Sequence, residues 1–235
     1  MQMLTSLARN SVYLLHCEGY AGYGLDLRAR KSWAHYSPCP DLRTTSLDPP
    51  TLLSSSSSPF PAGSFLIGNH ADELTPWLPL LAAKTPNSAF LSIPCCPHTH
   101  VDRFTGQTYK IPAEFLASLP SPPAKSPPTR PATHHPLLLP FYAPAPNLTG
   151  RAQAYQLYLA HLTLLCGFVP EREALRMPST KNIGQLGRRR IWDGLPEGDE
   201  KAELMARTAE EVDKMIDAAR AGWKARKPEG KAGEH

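Results

Sequence analysis

Twenty-six prolines cut this 235-residue chain into short runs. Proline lacks a backbone N–H and holds φ at about −65°, which confines it to loops, first helical turns and sheet edges. The prolines cluster, with eleven inside residues 112–146. That stretch, rich also in Ser, Thr and His, reads as a flexible, extended linker. The five serines Ser54–Ser58 read as a second, mobile insert. Low-complexity inserts are therefore expected near 50–62 and 112–148, with ordered structure around them.

The ordered runs alternate in period. Leu4, Leu7, Ser11, Leu14 and Leu15 recur at helical spacing and predict a helix over 1–18, stopped at Gly19. A glycine-rich strand follows, ending at Asp26, and Arg28 to Trp33 opens the next helix. Residues 41–48 predict a strand closed by Pro49 and Pro50. Residues 64–68 predict a compact apolar strand, 74–83 a helix bent at Pro79, and 88–93 a buried strand. Tyr155, Tyr158, Leu159, Leu162 and Leu165 share one face of a helix over 151–166. A strand pair spans 171–192, and an apolar stripe from Leu204 to Trp223 marks a charged helix over 199–226. Helices alternating with short apolar strands predict an α/β fold with a mainly parallel sheet. The expected division is one α/β domain over 1–192 and a charged helical extension over 193–235. That extension reads either as a contact surface for a partner or as a helix packed on its own domain.

Composition removes other classes. At 41% hydrophobic and 20% charged residues the chain has too much apolar surface for an intrinsically disordered protein. No apolar run approaches the roughly 20 residues of a membrane-spanning helix. Five cysteines, odd in number and irregularly spaced, read as reduced intracellular thiols rather than a disulfide framework. A net charge of +4 is compatible with a nucleic-acid partner without requiring one.

Ligands of parallel α/β sheets bind at the carboxyl ends of the strands. Asp26, Asp48, Asn69, His70, Pro94 and Cys95 all fall just past a predicted strand. Asp26 suits either a helix cap or a carboxylate that accepts from a ribose. Asn69, His70, Asp72 and Glu73 crowd four polar side chains between a strand and a helix. Asp72 and Glu73 alone would suit a helix N-terminus. The run Cys95-Cys96-Pro97-His98-Thr99-His100 invites a zinc reading. Neighbouring residues of a strand point to opposite faces, however, so the expectation is one buried thiol, one pocket-lining thiol and no metal. Arg28, Arg30 and Lys31, and Arg188, Arg189 and Arg190, form two basic groups that read as solvated surface or as contacts to RNA phosphates.

Four segments, taken together, resemble the eukaryotic tRNA (uracil-2′-O-)-methyltransferase family. They are GYGLDLRARKSW at 22–33, IGNHADELTPW at 67–77, IPCC at 93–96 and RMPSTK at 176–181. The resemblance implies a Rossmann-like class I methyltransferase that uses S-adenosyl-L-methionine and methylates a uridine ribose in the variable region of serine tRNAs. It implies a cytoplasmic enzyme with tRNA as its partner, no membrane and no obligate protein partner. Asp26 would hold the cofactor ribose and Asp48 would lie near its adenine. Asn69, Pro94 and Cys95 would complete the cofactor side. His70 or Asp72 would accept the proton of the ribose hydroxyl, and Lys181 would polarise the oxygen. The family carries a glycine-rich loop after its first strand. Residues 5–11 hold no glycine, so the chain reads as N-terminally truncated, lacking that strand and loop. A remnant that binds RNA without catalysis is the alternative of a different class. A nitrogen acceptor is disfavoured because no Asn-Pro-Pro-Tyr motif stands at Asn69.

Overall fold

The computed structural model describes residues 3–4, 11–55, 57–120, 135–143, 148–176 and 181–225. Their elements run β1 (Met3–Leu4), α1 (Ser11–Cys17), β2 (Tyr23–Asp26), β3 (Asp41–Thr44), α2 (Pro49–Leu53), β4 (Phe65–Asn69), α3 (Leu78–Ala83) and β5 (Ala89–Ile93). There follow α4 (Ala113–Ala117), α5 (Leu139–Tyr142), α6 (Arg151–Leu165), β6 (Phe168–Ala174), β7 (Ile183–Arg190) and α7 (Asp199–Arg220). The strands form a single seven-stranded sheet in the order β3-β2-β1-β4-β5-β7-β6. All neighbours are parallel except β7, which is antiparallel to both β5 and β6. This is a doubly wound sheet whose winding reverses between β1 and β4.

Both sheet faces are covered, as a parallel sheet requires. Successive side chains of a strand alternate in direction. Leu66 of β4 and Phe90 of β5 therefore enter one cluster with Trp77, Leu80 and the α7 residues Val212, Ile216 and Ala219. Ile67 and Leu91, their neighbours, enter the opposite cluster with Val12 of α1.

Several expectations are corrected. The helix expected over 1–18 is confined at its described end to Ser11–Cys17, and Met3–Leu4 fills the central strand position that the sequence reading left vacant. Residues 5–10, where the glycine-rich loop was sought, lie outside the described residues, as do 177–180 within the fourth motif. Past Asp26 the chain makes a five-residue 3₁₀ turn over Lys31–His35 instead of an α-helix. The strand from Asp41 stops at Thr44, and Pro49 and Pro50 open α2, because proline suits a first turn whose N–H groups have no partner. The helix expected over 74–83 begins as a 3₁₀ turn, Asp72–Trp77, and becomes α-helical at Leu78.

The described parts of 112–146 are docked, not extended. Leu138 and Phe141 are fully buried beside Ile111, Leu119 and Leu157. Residues 121–134 and 144–147 lie outside the described set. The described segments, 109–119 and 137–141, pack on α6, which is consequently buried on more than one face, including Gln156, His161 and Thr163. A helix enclosed this way does not need a single apolar stripe. The serine tract is partly tied down, since Ser54 accepts a hydrogen bond from Arg220 Nη2 at 3.0 Å.

Candidate active site at the sheet switch point

The register sets the site. Leu4 pairs with both Leu25 and Gly68, and Asn69 pairs with Ile93. The next residues along, Asp26 on β2 and Asn69 on β4, thus stand at one level, on either side of the β1 terminus. Ile93 stands level with Asn69, and Pro94 follows it. Three strand ends that are separated in sequence by the whole of 27–68 and 70–92 form one crevice edge, where ligands of doubly wound sheets bind.

Each group on this edge has a defined setting. Asp26 is 2% exposed, and its carboxylate accepts from Arg28 N–H at 3.1 Å and from Arg30 Nε and Nη2 at 3.1 and 3.2 Å. Asn69 Nδ2 lies 3.4 Å from Ser11 Oγ, joining β4 to the start of α1, while its buried Oδ1 has no partner among the described residues. Asp48 accepts from Thr51 Oγ1 at 2.8 Å through Oδ2, and its buried Oδ1 likewise has no partner. Past β4 the chain turns abruptly. His70 and Asp72 take left-handed backbone angles, φ 54° and 47°. Non-glycine residues in this region are uncommon, and such strain concentrates at functional sites. His70 N–H extends the ladder by donating to Ile93 O at 3.0 Å.

Cys95 follows Pro94 and donates from Sγ to Asp72 Oδ1 at 3.0 Å. Burial, then the neighbouring Asp72 carboxylate, push the Cys95 thiol well above its ordinary range. The expectation that Cys95 and Cys96 point apart is corrected. β5 ends at Ile93, so strand alternation does not govern them, and Asp72, Cys95 and Cys96 bring their ligand atoms within 4.8 Å of one another. Beneath them His100 Nε2 lies 3.1 Å from Pro76 O, and Trp77 Nε1 donates back to His100 O at 3.2 Å. Burial lowers His100 to about 4.

The basic residues divide. Arg28, Arg30 and Lys31 follow β2 directly and belong to the crevice edge, with Arg30 committed to Asp26. Lys181 is exposed two residues before β7, on the same edge, because β7 runs opposite to β5. Arg188, Arg189 and Arg190 sit at the far end of β7, on the opposite edge of the sheet. There Arg188 and Arg189 pair with Glu171 at 2.8 and 3.4 Å, which holds that carboxyl below its usual range. Arg190 lies 3.6 Å over the Phe168 ring and, with Arg188, lines a cavity of about 520 Å³ beside α7. The sequence does not disclose the Ser11 contact, the Arg30–Asp26 pair or the approach of Cys96 to Asp72. The first two depend on contacts across the fold, whereas the Cys95-Cys96 pair is visible in the sequence and only the assumption of a strand sets its two thiols apart.

Sheet order, the reversed β7 and the switch-point edge are consistent with an AdoMet-dependent methyltransferase fold. The family profile described as "Predicted AdoMet-dependent methyltransferase" matches residues 8–46. The chain is 34% identical over 209 residues to the tRNA (uracil-O(2)-)-methyltransferase of Neurospora crassa, covering 77% of this chain and 34% of that protein. It is 34% identical over 206 residues to the Schizosaccharomyces pombe protein of the same name, covering 78% and 35%. The human probable tRNA (uracil-O(2)-)-methyltransferase is 28% identical over 193 residues, covering 81% and 20%. The chain is thus a relative of the tRNA (uracil-O(2)-)-methyltransferases, as its four motifs indicated, and spans about a third or less of the length of these proteins. No solved structure matches it significantly. No helix among the described residues is long and apolar enough to cross a membrane.

S-adenosyl-L-methionine, the group such a family implies, carries an ammonium, an adenine amine and two ribose hydroxyls, all hydrogen-bond donors. Among the described residues two buried acceptors lack partners, Asn69 Oδ1 at the end of β4 and Asp48 Oδ1 just before α2. Asp26 matches by position, but most of its lone pairs already face Arg28 and Arg30, so a ribose hydroxyl there must displace the Arg30 fork.

Proposed function

We propose that this chain binds S-adenosyl-L-methionine along the β2–β1–β4–β5 edge and contributes that site to 2′-O-methylation of a uridine ribose in tRNA. Asp26, Asp48 and Asn69 form the cofactor side, with Pro94 and Cys95 closing it. S-adenosyl-L-methionine supplies an electrophilic methyl group and its own leaving group, which leaves the protein to position and to manage one proton. The ribose hydroxyl is a weak nucleophile and gains from a nearby base. His70 or Asp72, held in strained turns at the end of β4, accepts that proton, and Lys181 stabilises the oxygen as its charge develops. Arg28, Arg30 and Lys31, on the same edge, contact RNA phosphates. Arg188, Arg189 and Arg190 form a separate RNA contact on the opposite edge. By the family resemblance, the substrate is the variable region of serine tRNAs, in the cytoplasm.

The observation that carries this reading is the common level of Asp26, Asn69 and Ile93 across the switch point, with the buried Asn69 Oδ1 at that level lacking a partner among the described residues. Calorimetric titration of the chain with S-adenosyl-L-methionine tests it. Saturable binding that Asn69→Ala weakens at least about tenfold, a loss of about 1.4 kcal/mol, supports the site. A second reading is an RNA-binding remnant without catalysis. It is favoured by the engaged Asp26 carboxylate and by the lack of glycine in 5–11. Binding of tRNA with no heat from the cofactor would select it.

A further inference from the structure

We propose that Asp72, Cys95 and Cys96 form a binding site for one zinc-class divalent ion, with a fourth position open toward the crevice. The three residues offer two sulfurs and one carboxylate oxygen, all within 4.8 Å of one another. In a tetrahedral site with zinc–sulfur bonds of about 2.3 Å, two ligand sulfurs stand about 3.8 Å apart. The donors are therefore within a small side-chain adjustment of coordination distance. Cys95 Sγ is already 3.0 Å from Asp72 Oδ1, and an ion entering here takes the place of that thiol proton, with the Cys95 and Cys96 protons both released to solvent.

The backbone favours this convergence. β4 and β5 are adjacent and parallel, and both end on this edge. The left-handed turn at Asp72, φ 47°, and the departure of the chain from β5 at Pro94 bring the two termini together. Sulfur donors select ions of the zinc type over magnesium or calcium. Among the described residues no histidine nitrogen joins these converging donors, so the protein supplies three ligands. Asp72 and Cys95 are half-buried and Cys96 is exposed, so an ion could enter from solvent. Three protein ligands with one open position is the arrangement of zinc sites that bind water or substrate. With an ion bound, Asp72 is a ligand and the proton-accepting role passes to His70. The site stands whether or not the crevice holds the methyl donor.

Cobalt(II) titration of the full chain, reduced and oxygen-free, tests the proposal. The expected result is one equivalent of cobalt bound, with a thiolate-to-cobalt charge-transfer band that zinc(II) abolishes by displacement. Cys96→Ser and Asp72→Asn should each weaken cobalt binding at least about 100-fold, the upper end of what even an outer partner contributes. Cys39→Ser, at an exposed cysteine outside the cluster, should leave it unchanged. Cys96 is exposed, so its serine variant keeps the fold, which circular dichroism verifies. No charge-transfer band in the wild type, a band that persists in Cys96→Ser, or a band lost equally in Cys39→Ser would each overturn it.

Discussion

Asp26 shows how a buried charge is kept in this fold before any ligand arrives. Its side chain is fully enclosed, and Arg30, four residues on and 33% exposed, provides both guanidinium contacts. Arg30→Ala removes that partner and leaves the carboxylate, among the described residues, with the Arg28 N–H. Because Arg30 is partly solvated, the expected destabilisation is about 1–2 kcal/mol rather than the larger cost of breaking a fully buried pair. Urea denaturation of the two proteins measures it. The same variant separates stability from binding, since it clears the position where a ribose hydroxyl would dock and should tighten cofactor binding while the fold loosens. At this scale the sequence was informative wherever a residue's place depended on its own strand. Asp26, Asn69 and Pro94 were legible because each directly follows an apolar run. The Arg30 fork and the Ser11 contact were not, because a side chain's partner is chosen by three-dimensional packing and not by spacing.

Among the elements, α7 and the β5–β7 pair carry the clearest consequences. The α7 helix is strongly charged in sequence, yet Val212, Ile216 and Ala219 enter the same cluster as Trp77, Leu80 and Phe90. Trp223, just past its end, meets Trp77 edge-to-face at 5.3 Å. Ile216→Ala should cost about 2–5 kcal/mol, whereas Met205→Ala on the exposed side, at 44% exposure, should cost under about 1 kcal/mol. Thermal denaturation of the two variants distinguishes a packed helix from a detachable one. On the sheet, Gly187 faces Phe90 so closely that an added Cβ would meet the ring at 2.3 Å. Gly187→Ala should destabilise by about 1–3 kcal/mol through overpacking, and a compensating Phe90→Leu should recover part of it. The alternation of strands and helices, and hence the α/β class, was readable from periodicity. The strand order was not, because nothing in a sequence states that β7 inserts between β5 and β6. The proline-rich stretch was misread for a related reason. Its few apolar residues, Leu138 and Phe141 among them, find a groove on α6 that exists only once the sheet has formed.

For the molecule as a whole, acid is the condition to which this packing is most exposed. Two histidines are held neutral inside it. His161 on α6 is 9% exposed with Nδ1 2.7 Å from the Tyr109 hydroxyl, and His100 is wedged between Trp77 and Pro76. Burial lowers each to about 4, against about 6.5 in the unfolded chain. Between those values the unfolded state binds more protons than the folded state, so stability rises with pH. The benefit is complete above about pH 6.5 and is lost progressively as the pH falls toward 4. The depressed Glu171 carboxyl acts in the same direction but lower, below its unfolded value of about 4.3, so the histidine window is separable from it. Folding free energies from urea titrations at pH 7, 6, 5 and 4.5 should fall with a slope approaching two protons near pH 5, which is about 2–3 kcal/mol per pH unit. His161→Gln, which keeps a hydrogen-bonding group beside Tyr109 but cannot titrate, should reduce that slope to about one proton. A slope unchanged in the variant would mean that His161 gains its proton in the folded state as readily as in water, and that α6 is less enclosed than its packing against the 109–119 and 135–142 segments requires.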